Sequence, residues 1–278
     1  MKVAFSPCPN DTFIFHAWVH NLIPEAPQLE VTYADINITN ELATTLAGPD
    51  LLKISYAALP WVHSDYKLIP CGGALGRGCG PLILTKEAHQ DPAHLRGKKI
   101  AVPSKKSTAY LLFRLWLAQN VPEGVAEIIV YPFDEIMPAI RDGQVDAGLV
   151  IHEARFTYPS YQLHSHIDLG NWWEQDTGLP IPLGAIIAKR SLDTEQITKW
   201  IQASLTYAWQ HPSASTEYIL QHAQELAPDV VQAHIDLYVN NFSLELGESG
   251  VQAVDTLLTR AYEENLTPRV DLSSLLSK

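Results

Sequence analysis

The sequence is short of cysteine, of positive charge and of long apolar runs, and each shortage removes a class of protein. Three cysteines, Cys8, Cys71 and Cys79, form an odd set without a CxxC pair. Reduced thiols suit that set better than a disulfide framework or a zinc finger. Lys and Arg number 19 against 31 Asp and Glu, a net charge of −12. Phosphate backbones are bound by surplus cations, so nucleic acid is excluded as a partner. No stretch of about 18 apolar residues is present to cross a membrane. The opening MKVAFSPCPNDTF has one lysine and few apolar residues before its first proline, unlike a secretory signal. A cytoplasmic protein without membrane contact is expected. What the chain does hold is 46% hydrophobic content over 278 residues, enough for one large core or two modest ones, and two domains is the better expectation.

Lys2 to Phe5 reads as a first strand, and SPCPNDTF after it carries the cap signal of a helix over the apolar run Phe13, Ile14, Ala17 and Trp18. A strand feeding a helix start presents unpaired N–H groups to an anion. Ser6, Asn10, Asp11 and Thr12 are therefore candidate contacts, with capping by Asn10 or Asp11 the plainer use. His16 and His20 have i, i+4 spacing, but no third ligand accompanies them and no metal is expected. Leu29–Tyr33 reads as a strand, 37–47 as a helix and Leu51–Tyr56 as a strand with Lys53 inside it. That lysine either reaches solvent from an edge or faces a ligand, and composition favours the edge. CGGALGRGCGP, residues 71 to 81, places five glycines in eleven residues. It does not match a dinucleotide loop; a hinge or a close backbone approach suits it better. Arg77 within it could clamp a carboxylate.

After the apolar Pro81–Thr85 the composition turns charged. Lys99–Val102 reads as a strand, and SKKST leads into a helix from Ala109 to Gln119. Arg96, Lys98, Lys99, Lys105 and Lys106 cluster here. With Ser107 and Thr108 as cap hydroxyls they make a second anion-friendly junction, or else a solvated basic face. Ile128–Tyr131, the amphipathic Phe133–Arg141 and the strand within VDAGLVIHEARFTYP complete a parallel sheet wound by right-handed crossovers. Ligands bind beyond the carboxyl ends of such strands, which is where His152 and Glu153 fall, beside Ser107 and Thr108. Filling a loop is the alternative for His152. Leu183–Ala188 resembles Pro81–Thr85, so both read as strands running between domains. The division is then 1–85 plus 189–278 as the larger domain, with helices near 213–225, 229–241 and 248–265, and 86–188 as an inserted one. The C-terminal helices show no catalytic cluster, though their aromatic surface could serve a homodimer.

This organisation predicts an α/β clamp closing on a small anionic ligand. No GxSxG elbow, zinc spacing or nucleotide loop is present. FSPCPNDTF, KISYAA, GGALGRGCGPL, STAY and GLVIHEARFTYP together resemble the dihydroxynaphthoate synthases of the futalosine route to menaquinone. The resemblance spans most of the chain and is densest over residues 5–15, 53–81 and 145–159. It implies a two-domain, periplasmic-binding-protein-like (type II) fold used as an enzyme without metal or organic cofactor. It also implies a substrate, cyclic dehypoxanthinyl futalosine, split into 1,4-dihydroxy-6-naphthoate and dihydroxyacetone. By matching motif, His152 corresponds to the proton acceptor, Lys53, Ile54 and Ser55 to one substrate-contacting segment, and Thr108 with Ala109 to another. Two other readings stay open: a non-catalytic small-anion binding protein on the same clamp, and the related chorismate dehydratase of the same pathway, which the PCPNDTF and VIHEARFTYP segments fit less well.

Overall fold

The computed structural model describes all residues except 46, 90, 224–226 and 277–278. Ten strands form two five-stranded mixed sheets. The first contains β1 (Lys2–Phe5), β2 (Glu30–Tyr33), β3 (Leu51–Ser55), β4 (Tyr66–Gly76) and β10 (Ile181–Lys189), in the order β2-β1-β3-β10-β4. The second contains β5 (Leu82–Thr85), β6 (Lys99–Val102), β7 (Glu127–Val130), β8 (Ala147–Val150) and β9 (His164–Asp168), in the order β7-β6-β8-β5-β9. In each, four strands run in one direction and a single antiparallel strand, β10 in the first and β5 in the second, lies between two of them. The physical cause is visible in β3 and β8, whose every residue is buried, as strands covered on both faces require.

The two strands expected to run between domains each belong to one sheet. Leu82–Thr85 pairs with β8 and β9, while Ile181–Lys189 pairs with β3 and β4. The chain therefore crosses between sheets after Gly76 and again after Asp168. Glycine makes the crossing possible: a Cβ on Gly80 would lie 2.1 Å from the backbone nitrogen of Gly170, so the two passages pack backbone on backbone. The glycine-rich stretch is used for this approach of chain to chain.

The helix expected over 37–47 spans Ile36–Leu42, and residue 46 lies outside the described residues. The helix Thr194–Gln210 begins as its sequence demands, with the Asp193 side chain accepting from the Gln196 N–H and Ile197, Ile201, Leu205 and Ala208 buried along one stripe. Of the C-terminal expectations, 229–241 corresponds to the helix Pro228–Tyr238 and 248–265 to Gly247–Glu263. The 213–225 stretch holds Thr216–His222, with 224 and 225 outside the described residues. These helices do more than cover the first sheet. Gly247–Glu263 touches both β10 and the helix Thr108–Asn120, so it spans the two halves. A single hydrophobic cluster accordingly runs from Leu52 and Ile54 through Ile83 and Ile100 to Leu149.

Candidate active site

The pocket between the halves is built on a buried ion pair. Lys53 sits on β3, the central strand of its sheet with β1 on one side and β10 on the other, and its Nζ lies 2.6 Å from Asp11 Oδ1 and donates to Gly72 O at 3.1 Å. The edge reading for this lysine is thus overturned. Asp11 also accepts from Ser6 Oγ at 2.8 Å and from Asn10 Nδ2 at 2.9 Å. Both ions are buried, and the several donors around the carboxylate offset the cost of removing it from water. Neither Asn10 nor Asp11 caps the first helix, Pro9–Val19. Its N-cap is Cys8, and Asp11 lies within the first turn, where a negative charge complements the helix dipole.

Asn10 passes this order on. Its Nδ2 is committed to Asp11, so its Oδ1 is an acceptor and takes the Nε2 proton of His234 at 3.0 Å. His234 belongs to the helix Pro228–Tyr238, and with Tyr238 one turn later it lines the pocket. Burial, then His152 and Lys53, lower its pKa from 6.5 to about 3. The 3.6 Å approach of its Nδ1 to Glu153 Oε1 is therefore a contact of a neutral imidazole. The C-terminal helices, read from the sequence as showing no catalytic cluster, supply two residues of the pocket wall, His234 and Tyr238. The signal was a histidine one turn before a tyrosine on the buried stripe Val231, Ile235 and Tyr238.

His152 forms the opposite wall. It lies two residues beyond the end of β8 and its φ of 56° is left-handed, a conformation that costs an L-residue energy and concentrates where function holds it in place. Its ring meets Phe133 edge-on at 5.6 Å and lies 6.4 Å from the His234 ring, nearly parallel to it. Nδ1 is 3.5 Å from Cys8 Sγ. Burial, then Glu153, pushes the Cys8 thiol well above its ordinary range. A protonated thiol against an imidazole is a hydrogen-bonded pair, which leaves Cys8 unsuited as a nucleophile at neutral pH.

The second junction also reaches the pocket. Ser107 caps the helix Thr108–Asn120 by accepting from Tyr110 N, and Ser107, Thr108 and Ala109 all line the pocket. First-turn N–H groups lack intrahelical acceptors, so those of Thr108 and Ala109 are placed to receive an anion. The Thr108 hydroxyl is engaged elsewhere: it donates to Leu183 O at 2.7 Å and accepts from Ala57 N at 3.1 Å. Ser55 lines the pocket and accepts from Asn40 Nδ2.

Other expected residues lie apart. Arg77 is exposed, pairing with Glu174 and donating to Gly178 O, and it does not line the pocket. Ile54 points its side chain into the core behind Lys53 and Ser55. Arg155 holds Gly80 O and Asp168, a support for the crossing. The basic cluster is a solvated face: Arg96 pairs with Glu123, Lys98 with Asp146 and Lys106 with Glu41, and none of its five members lines the pocket. Among the described residues the pocket's cation is Lys53.

Comparison with known proteins shows the family of this chain. A family model described as menaquinone biosynthesis matches residues 1–263. A 1,4-dihydroxy-6-naphtoate synthase of Streptomyces coelicolor is 58% identical over 278 residues, covering 99% of this chain and 97% of that protein. A protein of the same name from Thermus thermophilus is 43% identical over 269 residues, 96% of this chain and 95% of its own. Among solved structures, a protein from Archaeoglobus fulgidus has a TM-score of 0.87 at 31% identity, covering 95% of this chain and 97% of its own. The periplasmic aliphatic sulphonate binding protein of Escherichia coli has a TM-score of 0.73 at 14% identity, with coverages of 100% and 92%. That last likeness is one of fold, and it is the periplasmic-binding-protein fold that the family resemblance implied. With most of its length matched by the family model and by both relatives, the chain belongs to the menaquinone biosynthesis family.

Proposed function

We propose that this protein is a carbon–carbon lyase of the cytoplasm, a 1,4-dihydroxy-6-naphthoate synthase that splits cyclic dehypoxanthinyl futalosine into the naphthoate and dihydroxyacetone. His152 is the base. Histidine is the side chain suited to exchange protons at neutral pH, and removal of a ring proton lets the carbon–carbon bond break as the product becomes aromatic. The first-turn amides of Thr108 and Ala109 hold the substrate carboxylate, with Lys53 supplying positive charge from the floor. The observation that carries this reading is the convergence of His152, held at φ 56°, with those amides on one pocket. Identity of 58% and 43% to proteins named for this synthase supports it.

Incubation with cyclic dehypoxanthinyl futalosine should release the naphthoate, followed by absorbance or mass. His152→Ala should keep ligand binding and lose turnover by at least about 10²-fold, the scale of a positioned acid or base. His152→Asn serves as a control of fold, since asparagine tolerates positive φ. Near-wild-type turnover in both variants would sink the assignment of the base. No product from authentic substrate would favour a binding protein on the same fold.

A further inference from the structure

Cys8, His152 and Glu153 arrive from the N-cap of the first helix and from the end of β8. Their sulfur, ring nitrogen and carboxylate oxygen all lie within 4.8 Å of one another. The edge from Cys8 Sγ to His152 Nδ1 measures 3.5 Å. Sulfur at about 2.3 Å and nitrogen at about 2.0 Å from a tetrahedral zinc ion are themselves about 3.5 Å apart. The spacing already suits the ion.

An independent observation points the same way. Glu153 Oε1 is buried without a hydrogen-bond partner, and so is His234 Nδ1. These two atoms face each other at 3.6 Å, and His234 offers a lone pair there because its proton is on Nε2, given to Asn10. One acceptor opposite another leaves a buried carboxylate oxygen without the positive partner that such groups require. Thiolate, carboxylate and neutral imidazole would together balance a divalent charge. His152 lines the pocket, so an ion has a way in and keeps a fourth position open towards it.

We infer that Cys8, His152 and Glu153 form a binding site for one borderline-soft divalent cation, zinc above all, and that filling it stops turnover by tying up the imidazole. A hard cation such as magnesium prefers oxygen ligands and finds a single carboxylate here. Binding breaks the Cys8 S–H bond, forms the metal–sulfur bond and releases the proton to solvent, so affinity rises with pH. The groups facing that thiol are Glu153, Asp11, Asp35, His152 and Tyr238. The inhibitory half rests on His152 being the base; the binding half does not.

Cobalt(II) titrated into the full-length wild-type chain should give a thiolate-to-metal charge-transfer band and tetrahedral d–d absorption at one ion per chain, both displaced by zinc. Cys8→Ser should lose the charge-transfer band. Cys71→Ser and Cys79→Ser should retain it, and Glu153→Gln should weaken binding while leaving the sulfur band. In the synthase assay, zinc should abolish naphthoate formation and a chelator should restore it. No band in the wild type, or an undiminished band in Cys8→Ser, overturns the site. Full turnover at full zinc occupancy overturns the inhibition. A band in a chain that forms no naphthoate supports the site while refuting the proposed reaction.

Discussion

Lys53 shows how one residue can be misjudged from its neighbours in sequence. Between Leu52 and Ile54 it reads as an edge lysine with its amine in water, yet it is buried on Asp11. The partner is 42 residues away, and nothing local announces it. Removing one member of a buried pair leaves the other charged and unpaired, so Lys53→Met should cost about 3–5 kcal/mol. Urea unfolding of the variant measures this. Loss below about 1 kcal/mol would mean that Asp11 is satisfied by Ser6 and Asn10 alone. His152 is the converse case, since its place at a strand end is local and was legible. Its left-handed backbone and its thiol neighbour were not: no local residue pattern announces the first, and Cys8 lies 144 residues away along the chain.

At the scale of elements, the helix Pro228–Tyr238 changes the account of the site. Its periodicity was readable, but the residues it would cover were not, and so His234 went unnoticed. The histidine leaves a measurable trace in stability. With a pKa near 3 in the folded chain against 6.5 ordinarily, it binds a proton more readily when unfolded. Stability from this group is complete above about pH 6.5 and is lost as pH falls towards 3. His16, lowered to about 4 by burial and then by His20, acts in the same sense. His234→Gln should therefore lose stability less steeply than wild type between pH 7 and 4, as read from urea midpoints. Parallel slopes would show that the imidazole is not neutral and buried as described. The strands fared better at this scale, because short apolar runs such as LILT and AGLV leave little choice but a covered sheet.

In the whole molecule, Thr108 joins what the chain order separates. Its hydroxyl bonds Leu183 O and Ala57 N, so the helix of the second sheet is tied to the first. Thr108→Val keeps the shape and strands a buried N–H and C=O, at a cost of about 1–3 kcal/mol without any ligand present. Thr108→Ser should retain most of the stability. Equal unfolding midpoints for wild type and Thr108→Val would remove the tie. The sequence by itself determined the α/β class, the two junctions at residues 6–12 and 104–109 and the position of His152, since these follow from periodicity, caps and turn chemistry within a few residues. Only the tertiary structure decided that Lys53 is buried, that Arg77 stays outside, and that Cys8, Glu153 and His234 stand around one imidazole. Those facts depend on which distant surfaces share a buried volume, and local preference carries no information about that.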